Sequence, residues 1–210
     1  SRHAQQIINT MESISERLQQ QMRFIAEADK LKHVFRQSYL SDQSRRENDA
    51  EHSWHLCLMV MLLAEHSNFK NLNTLKVLKM VIIHDIVEID AGDTYIYDEE
   101  AKKTQAQREA KAADRLFGLL PDDQSQAFHD LWIEFETDSS DEARFAKAVD
   151  RLHPMMLNHL AEGKTWGEHE VTAEQVRAVN RKIEDGSASL WTYTDSLIRD
   201  AVAKGWLPSS

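Results

Sequence analysis

Val77-Leu78-Lys79-Met80-Val81-Ile82-Ile83-His84-Asp85-Ile86-Val87-Glu88 decides how this chain is read. A run that is apolar except for Lys79 reads as a buried helix, and it ends on an adjacent histidine and aspartate. Ionisable groups on such a surface are costly to desolvate unless an opposite charge meets them, and a divalent cation compensates an imidazole and a carboxylate together. The stretch therefore points to a helical protein with a metal ion held between its helices.

Two further polar interruptions extend the pattern. His52 is followed by Leu56, Met59, Val60 and Leu63, the spacing of a core-facing helix stripe, so it should point inward. Asp150 lies in Phe145-Ala146-Lys147-Ala148-Val149-Asp150-Arg151-Leu152, with Ala143 and Ala146 before it on its own face, where small side chains leave room for a ligand. Taken singly, each has a plainer reading. His52 would serve as a hydrogen-bonded core histidine, Asp150 with Arg151 as a helix-surface ion pair, and His84-Asp85 as the end of a helix.

Apolar positions recur at helical spacing almost everywhere and no run of β-branched strands appears, which predicts an all-α fold. Helices are expected over 4–30, 49–67, 74–90, 100–119, 122–136, 141–162, 173–185 and 188–204. Thr172 with Gln175 spells a capping box, Gly186 follows a helix end, Pro121 suits a first helical turn, and Gly163 and Gly167 bracket a loop. Pro154 falls inside the Asp150 helix and predicts a kink there.

With 210 residues, three prolines and six glycines too scattered to form a hinge, one domain over 1–210 is expected. A net charge of −10 argues against a nucleic-acid partner, whose phosphates the overall field would repel. The longest apolar stretch, Leu56 to Ala64, falls far short of the roughly 20 residues that cross a bilayer. The amino terminus is polar rather than signal-like, and the single Cys57 fits a reducing compartment. A protein of the cytoplasm, with no membrane partner, is the expectation.

His52, His84, Asp85 and Asp150 offer two imidazoles and two carboxylates, a set that suits one divalent ion of Mn, Co, Fe, Ni or Zn. Such an ion polarises a phosphoryl group and acidifies a water. Glu88 lies four residues after His84 and three after Asp85, so on a continuing helix it shares their face and is the first choice for a general acid or base, with a solvated carboxylate as the alternative. Asp93 follows Gly92, whose freedom permits a turn back toward the site, although Asp93 also reads as a helix cap. Glu51 is placed to orient His52 or a nearby cation, whereas His33, His55, His153 and His159 read as core or surface histidines and Arg46 as solvated.

The order His, then His-Asp, then Asp, each on its own helix, resembles the HD-domain superfamily of metal-dependent phosphohydrolases. Arg45-Arg46-Glu47-Asn48-Asp49-Ala50-Glu51-His52-Ser53, His84-Asp85-Ile86-Val87-Glu88 with Gly92-Asp93-Thr94, and Leu131-Trp132-Ile133-Glu134-Phe135-Glu136 look most like the branch related to bacterial 5'-deoxynucleotidases, over about residues 20 to 205. The resemblance implies a helical bundle with a metal site between helices and His52, His84, Asp85 and Asp150 as its ligands. It also implies active-site roles for Glu88 and Asp93, and substrate contacts from Arg36 and Arg45, which stand where the family has its substrate arginine and its Arg-x-Glu-Asn segment. The activity it implies is phosphomonoester hydrolysis of nucleoside 5'-monophosphates.

Gln37 departs from the pattern. The deoxynucleotidases follow their substrate arginine with tryptophan, which the family links to choosing the deoxy sugar. Hydrolysis of a guanosine polyphosphate is a competing activity, but the alarmone hydrolases carry His-Asp-x-x-Glu-Asp and here Ile89 follows Glu88. A catalytically silent nucleotide-binding regulator is a further alternative, and a di-iron oxygenase would need histidines that the His84 helix does not supply. The family pairs subunits through helices, and the apolar Trp191, Tyr193, Leu197 and Ile198 suggest a homodimer.

Overall fold

The computed structural model describes residue 2 and residues 14–210, and Ser15 opens the first helix whose bounds lie among them. Its hydroxyl accepts from the Leu18 N–H and caps α1, Glu16–Ala28. The amino-terminal part of the helix expected over 4–30 lies outside the described residues. A 3-10 segment, Asp29–His33, then leads into two short antiparallel strands, β1 (Phe35–Tyr39) and β2 (Arg46–Asn48). This hairpin was not expected. Its inward residues are the polar Ser38 and Glu47, so no apolar alternation betrays it.

Helices account for the rest of the architecture. They are α2 (Asp49–Leu63), α3 (Thr74–Ile83), α4 (Glu88–Ala91), α5 (Glu99–Phe117), α6 (Asp122–Glu136), α7 (Asp141–Leu160), α8 (Lys164–Glu168), α9 (Ala173–Asn180), α10 (Ile183–Gly186) and α11 (Ala188–Ala203). Several of their starts carry polar caps, of which the one at Thr172 was expected. Asn48 and Glu51 form a capping box on α2, Thr172 and Gln175 another on α9, and Asn73, Ser140 and Ser187 cap α3, α7 and α11.

Four details differ from the expectation. The 74–90 helix breaks after Ile83, the 173–185 helix breaks after Asn180, the loop between Gly163 and Gly167 contains α8, and Pro121 caps α6 from outside rather than sitting in its first turn. The first break matters most. The backbone N–H groups of Ile86, Glu88, Ile89 and Asp90 bond three residues back rather than four, as in Glu88 N to Asp85 O at 2.9 Å. That tighter 3-10-like winding stacks residues three apart one above the other. Pro154 lies inside α7 without ending it.

The main core gathers Leu56 and Val60 of α2, Val77, Met80 and Val81 of α3, and Phe145, Val149 and Leu152 of α7, closed by Ile183 and Leu190. A second cluster joins Ile83, Ile86 and Val87 to Leu116 and Phe117 of α5 and Trp132 of α6. His84 and Asp85 stand between these two clusters. Against α7 the close approach of α10 requires Gly186, because a Cβ there would collide with the Arg144 carbonyl and the Ala148 methyl.

Trp191, Leu197 and Ile198 are buried in this chain's own core, and of the residues that suggested a homodimer only Tyr193 is exposed. The apolar surplus behind that expectation is therefore absent from α11. Among the described residues no helix is long and apolar enough to cross a membrane.

Candidate metal centre

His52 sits one turn into α2, behind the Asn48 capping box, and is fully buried at 0% exposure. Its Nε2 lies 2.8 Å from Asp150 Oδ1 of α7 and 3.8 Å from Asp85 Oδ2. His84 caps the end of α3. Its Nδ1 lies 2.7 Å from the Val81 carbonyl, which can only accept, so Nδ1 carries the proton and the neutral ring presents Nε2 as a lone pair. That Nε2 is 3.1 Å from Asp85 Oδ1 and 3.2 Å from Asp150 Oδ1. Four groups named from the sequence on three separate segments thus face one point.

The donor set fits a divalent cation. Two imidazole nitrogens and two carboxylates form the mixed set that a borderline ion takes, and His52, His84 and Asp85 alone are close enough to share one. Charge tells the same story. Burial lowers the His84 pKa, but Asp85 and Asp150 outweigh it and push the imidazole up to about 10. Burial favours a neutral Asp150, yet His84 and His52 hold its carboxyl well below the usual range. The cluster draws in protons wherever no other positive charge neutralises its carboxylates, and a cation displaces those protons when it binds.

A second acidic group adjoins the first. Asp49, at the start of α2 and fully buried, stands with Asp85 and Glu88 close enough to hold a cation. Burial and then Asp85 raise Asp49 to about 7, and the same two causes in the same order carry Glu88 well above the ordinary carboxyl value. Burial also raises Asp93. Asp49 Oδ2 and Glu88 Oε1 are buried without a hydrogen-bond partner.

Arg36 supplies the balancing charge. Its Nη1 is 3.4 Å from Asp49 Oδ1 and 3.3 Å from Asp85 Oδ2, and its Nε is 3.8 Å from Glu47 Oε1. The guanidinium expected to meet substrate is thus already shared among three buried carboxylates.

Arg36, Gln37, Glu88 and Asp93 line, with His84, Asp85 and Asp150, a cavity of about 620 Å³. Glu88 reaches it at 8% exposure through the tight winding after α3, and Asp93 through Gly92, whose φ of 77° lies in the left-handed region that glycine tolerates. Tyr95, Tyr97, Lys147 and Arg151 complete its wall.

Arg45 is not brought there. It pairs with Glu51 outside the cavity, Nη1 to Oε2 at 2.9 Å, and Glu51 completes the α2 cap rather than touching the His52 ring. Arg46 is half-buried beside Glu168, its Nη2 3.6 Å from Glu168 Oε2. Glu47 and Asp49 are buried neighbours to which the sequence reading assigned no role, and His153, read as a core or surface histidine, is fully buried beside them. The spacing of His153, three after Asp150 on one helix face, was the signal available for it.

A family model described as HD domain matches residues 28–191. A crystal structure of a predicted metal-dependent phosphohydrolase from Magnetospirillum magnetotacticum MS-1 is 49% identical, with a TM-score of 0.88 and coverage of 91% of this chain and 96% of that one. The 5'-deoxynucleotidases HDDC2 of Mus musculus and Homo sapiens are each 29% identical over 136 residues, which is 64% of this chain. The matched stretch spans 66% and 65% of those two relatives, just under two thirds of their length.

Proposed function

The chain belongs to the HD domain family, and from that membership we propose that it is a metal-dependent phosphohydrolase, a phosphomonoesterase that releases phosphate from nucleoside 5'-monophosphates. The observation that carries the reading is the convergence of His52 Nε2, His84 Nε2 and the Asp85 and Asp150 carboxylates on one point, with His84, Asp85 and Asp150 at the wall of the cavity and His52 buried directly behind them. The relatives' names as 5'-deoxynucleotidases supply the class of substrate.

In this reading His52, His84, Asp85 and Asp150 hold one divalent ion. Such an ion supplies Lewis-acid polarisation of a phosphoryl oxygen and an acidified water. The remaining work falls to the protein. Glu88, buried beside Asp85, carries a proton to or from the reacting oxygens, and burial and then Asp85 shift its pKa upward, the direction that favours a proton donor. Arg36 offsets part of the negative charge of Asp49 and Asp85 and lends its remaining N–H groups to a phosphate oxygen. Lys147 and Arg151 add cations to the cavity wall, and the Tyr95 and Tyr97 rings, packed edge to face at 5.2 Å, offer aromatic surface for the nucleoside. The test is a metal-supplemented panel of phosphoesters incubated with purified protein, reading released phosphate. Turnover of nucleoside monophosphates is the expected result, and turnover confined to another phosphoester contradicts it.

Gln37 bears on the sugar. Its Oε1 lies 3.2 Å from His169 Nε2, which ties one side of the amide and leaves its NH₂ to meet a hydroxyl. Discrimination between sugars comes from clashes and unpaired polar groups set against the wrong one, and an amide sets up neither against ribose. AMP and dAMP are therefore expected to differ by less than about tenfold in kcat/KM, roughly 1.4 kcal/mol. Side-by-side kinetics check it, and a dAMP preference above about a hundredfold places the exclusion on another residue.

A further inference from the structure

His153 plays no part in the function above and reads from the sequence as a core or surface histidine. It is fully buried and lies against the outer edge of His52. Two i,i+3 pairs meet there, His52 and His55 on α2 facing Asp150 and His153 on α7. Asp150 Oδ1 is 2.8 Å from His52 Nε2, and His153 Nδ1 is 2.8 Å from His52 Nδ1, so α7 grips both nitrogens of one ring. His153 is held in turn, its Nε2 3.0 Å from His55 Nδ1. The buried Glu47 carboxylate flanks the chain, 3.6 Å from His52 Nδ1 and 3.7 Å from His153 Nε2.

Three imidazoles in series admit few proton arrangements. A neutral imidazole that ligates through Nε2 carries its proton on Nδ1. His52 Nδ1–H then donates to His153 Nδ1, which must accept, and a neutral His153 keeps its own proton on Nε2 and donates to His55 Nδ1. In the reverse order His153 donates to His52 Nδ1, which places the His52 proton on Nε2 and aims an N–H at the centre where a lone pair is needed.

We propose that His153 is a positioning residue: by accepting from His52 Nδ1–H it holds His52 in the tautomer and ring orientation that present the Nε2 lone pair to a divalent cation, while His55 fixes the tautomer of His153. The inference rests on the metal-centre reading and concerns only how one of its ligands is held.

The test uses the full chain with zinc alone as the probe. Zinc affinity is measured by competition with a chelating dye for the wild type, His153→Leu and His153→Asn. The two variants have nearly the same shape, but only asparagine keeps an acceptor where His153 Nδ1 stands. His153→Leu is expected to bind zinc about 10- to 100-fold more weakly, and His153→Asn to return to within about threefold of the wild type. Wild-type affinity in His153→Leu, or equal losses in both variants, overturns the proposal.

Long-range ¹H–¹⁵N spectra of the zinc-loaded wild type need no variant. They should show His52 protonated at Nδ1 and His153 at Nε2 alone, and a proton on His153 Nδ1 overturns the assignment. A wild type that takes up no zinc overturns the metal-centre reading and this inference with it. Normal uptake with an unaffected His153→Leu removes only the inference.

Discussion

Asp85→Ala is expected to reduce both bound metal and phosphate release to background. Asp85 is the carboxylate that reaches most of the centre: Oδ1 lies 3.1 Å from His84 Nε2, and Oδ2 lies 3.8 Å from His52 Nε2 and 3.3 Å from Arg36. Removing it leaves three donors and strips negative charge from the point where a cation has to be held. Breaking a buried charge pair normally costs about 3–5 kcal/mol, because the partner is left buried and uncompensated. Here Arg36 keeps Asp49 and Glu47 beside it, so the variant should fold and the loss should fall on the metal. Metal content by mass spectrometry, read beside circular dichroism, decides it. A folded variant that retains one ion per chain sinks the ligand assignment.

Glu88→Gln should separate chemistry from metal binding. The substitution keeps the shape of a side chain 8% exposed and removes only its titrating proton. A general acid or base contributes on the order of 100- to 10,000-fold, so turnover should fall by at least about 100-fold while metal content stays at the wild-type level. Burial and Asp85 both raise the Glu88 pKa, a titration that the amide removes. Wild-type turnover in Glu88→Gln would reduce Glu88 to a buried spectator.

His52, His84, Asp85 and Asp150 were legible in the sequence for one reason: each interrupts an apolar pattern whose period already says which way it points. Most helices were legible for the same reason, and one cap was spelled out by Thr172 with Gln175. The hairpin was not, because its buried positions are Ser38 and Glu47, and a strand that buries polar groups for electrostatic reasons has no hydrophobic period.

Nor could spacing reveal that Arg36 is claimed by Asp49, Asp85 and Glu47, or that Arg45 is held away from the cavity by Glu51. Those outcomes depend on which carboxylate wins each guanidinium in three dimensions. The break after Ile83 was hidden by Ile86 and Val87. Both are apolar enough to continue the helix, yet they serve the second core instead.

That break has a consequence for how this stretch can change. On a regular helix a residue three positions on is rotated about 60° short of a full circle, whereas the tight turn between Asp85 and Glu88 brings it round completely. The two carboxyls are therefore brought into line by the number of peptide units between them rather than by the side chains in between. Ile86 and Val87 are exchangeable for other aliphatic residues of similar volume, but one residue inserted or deleted there swings Glu88 about 120° off the line of Asp85. The stretch is lenient about spelling and strict about length, so natural variation should appear there as substitutions and never as gaps.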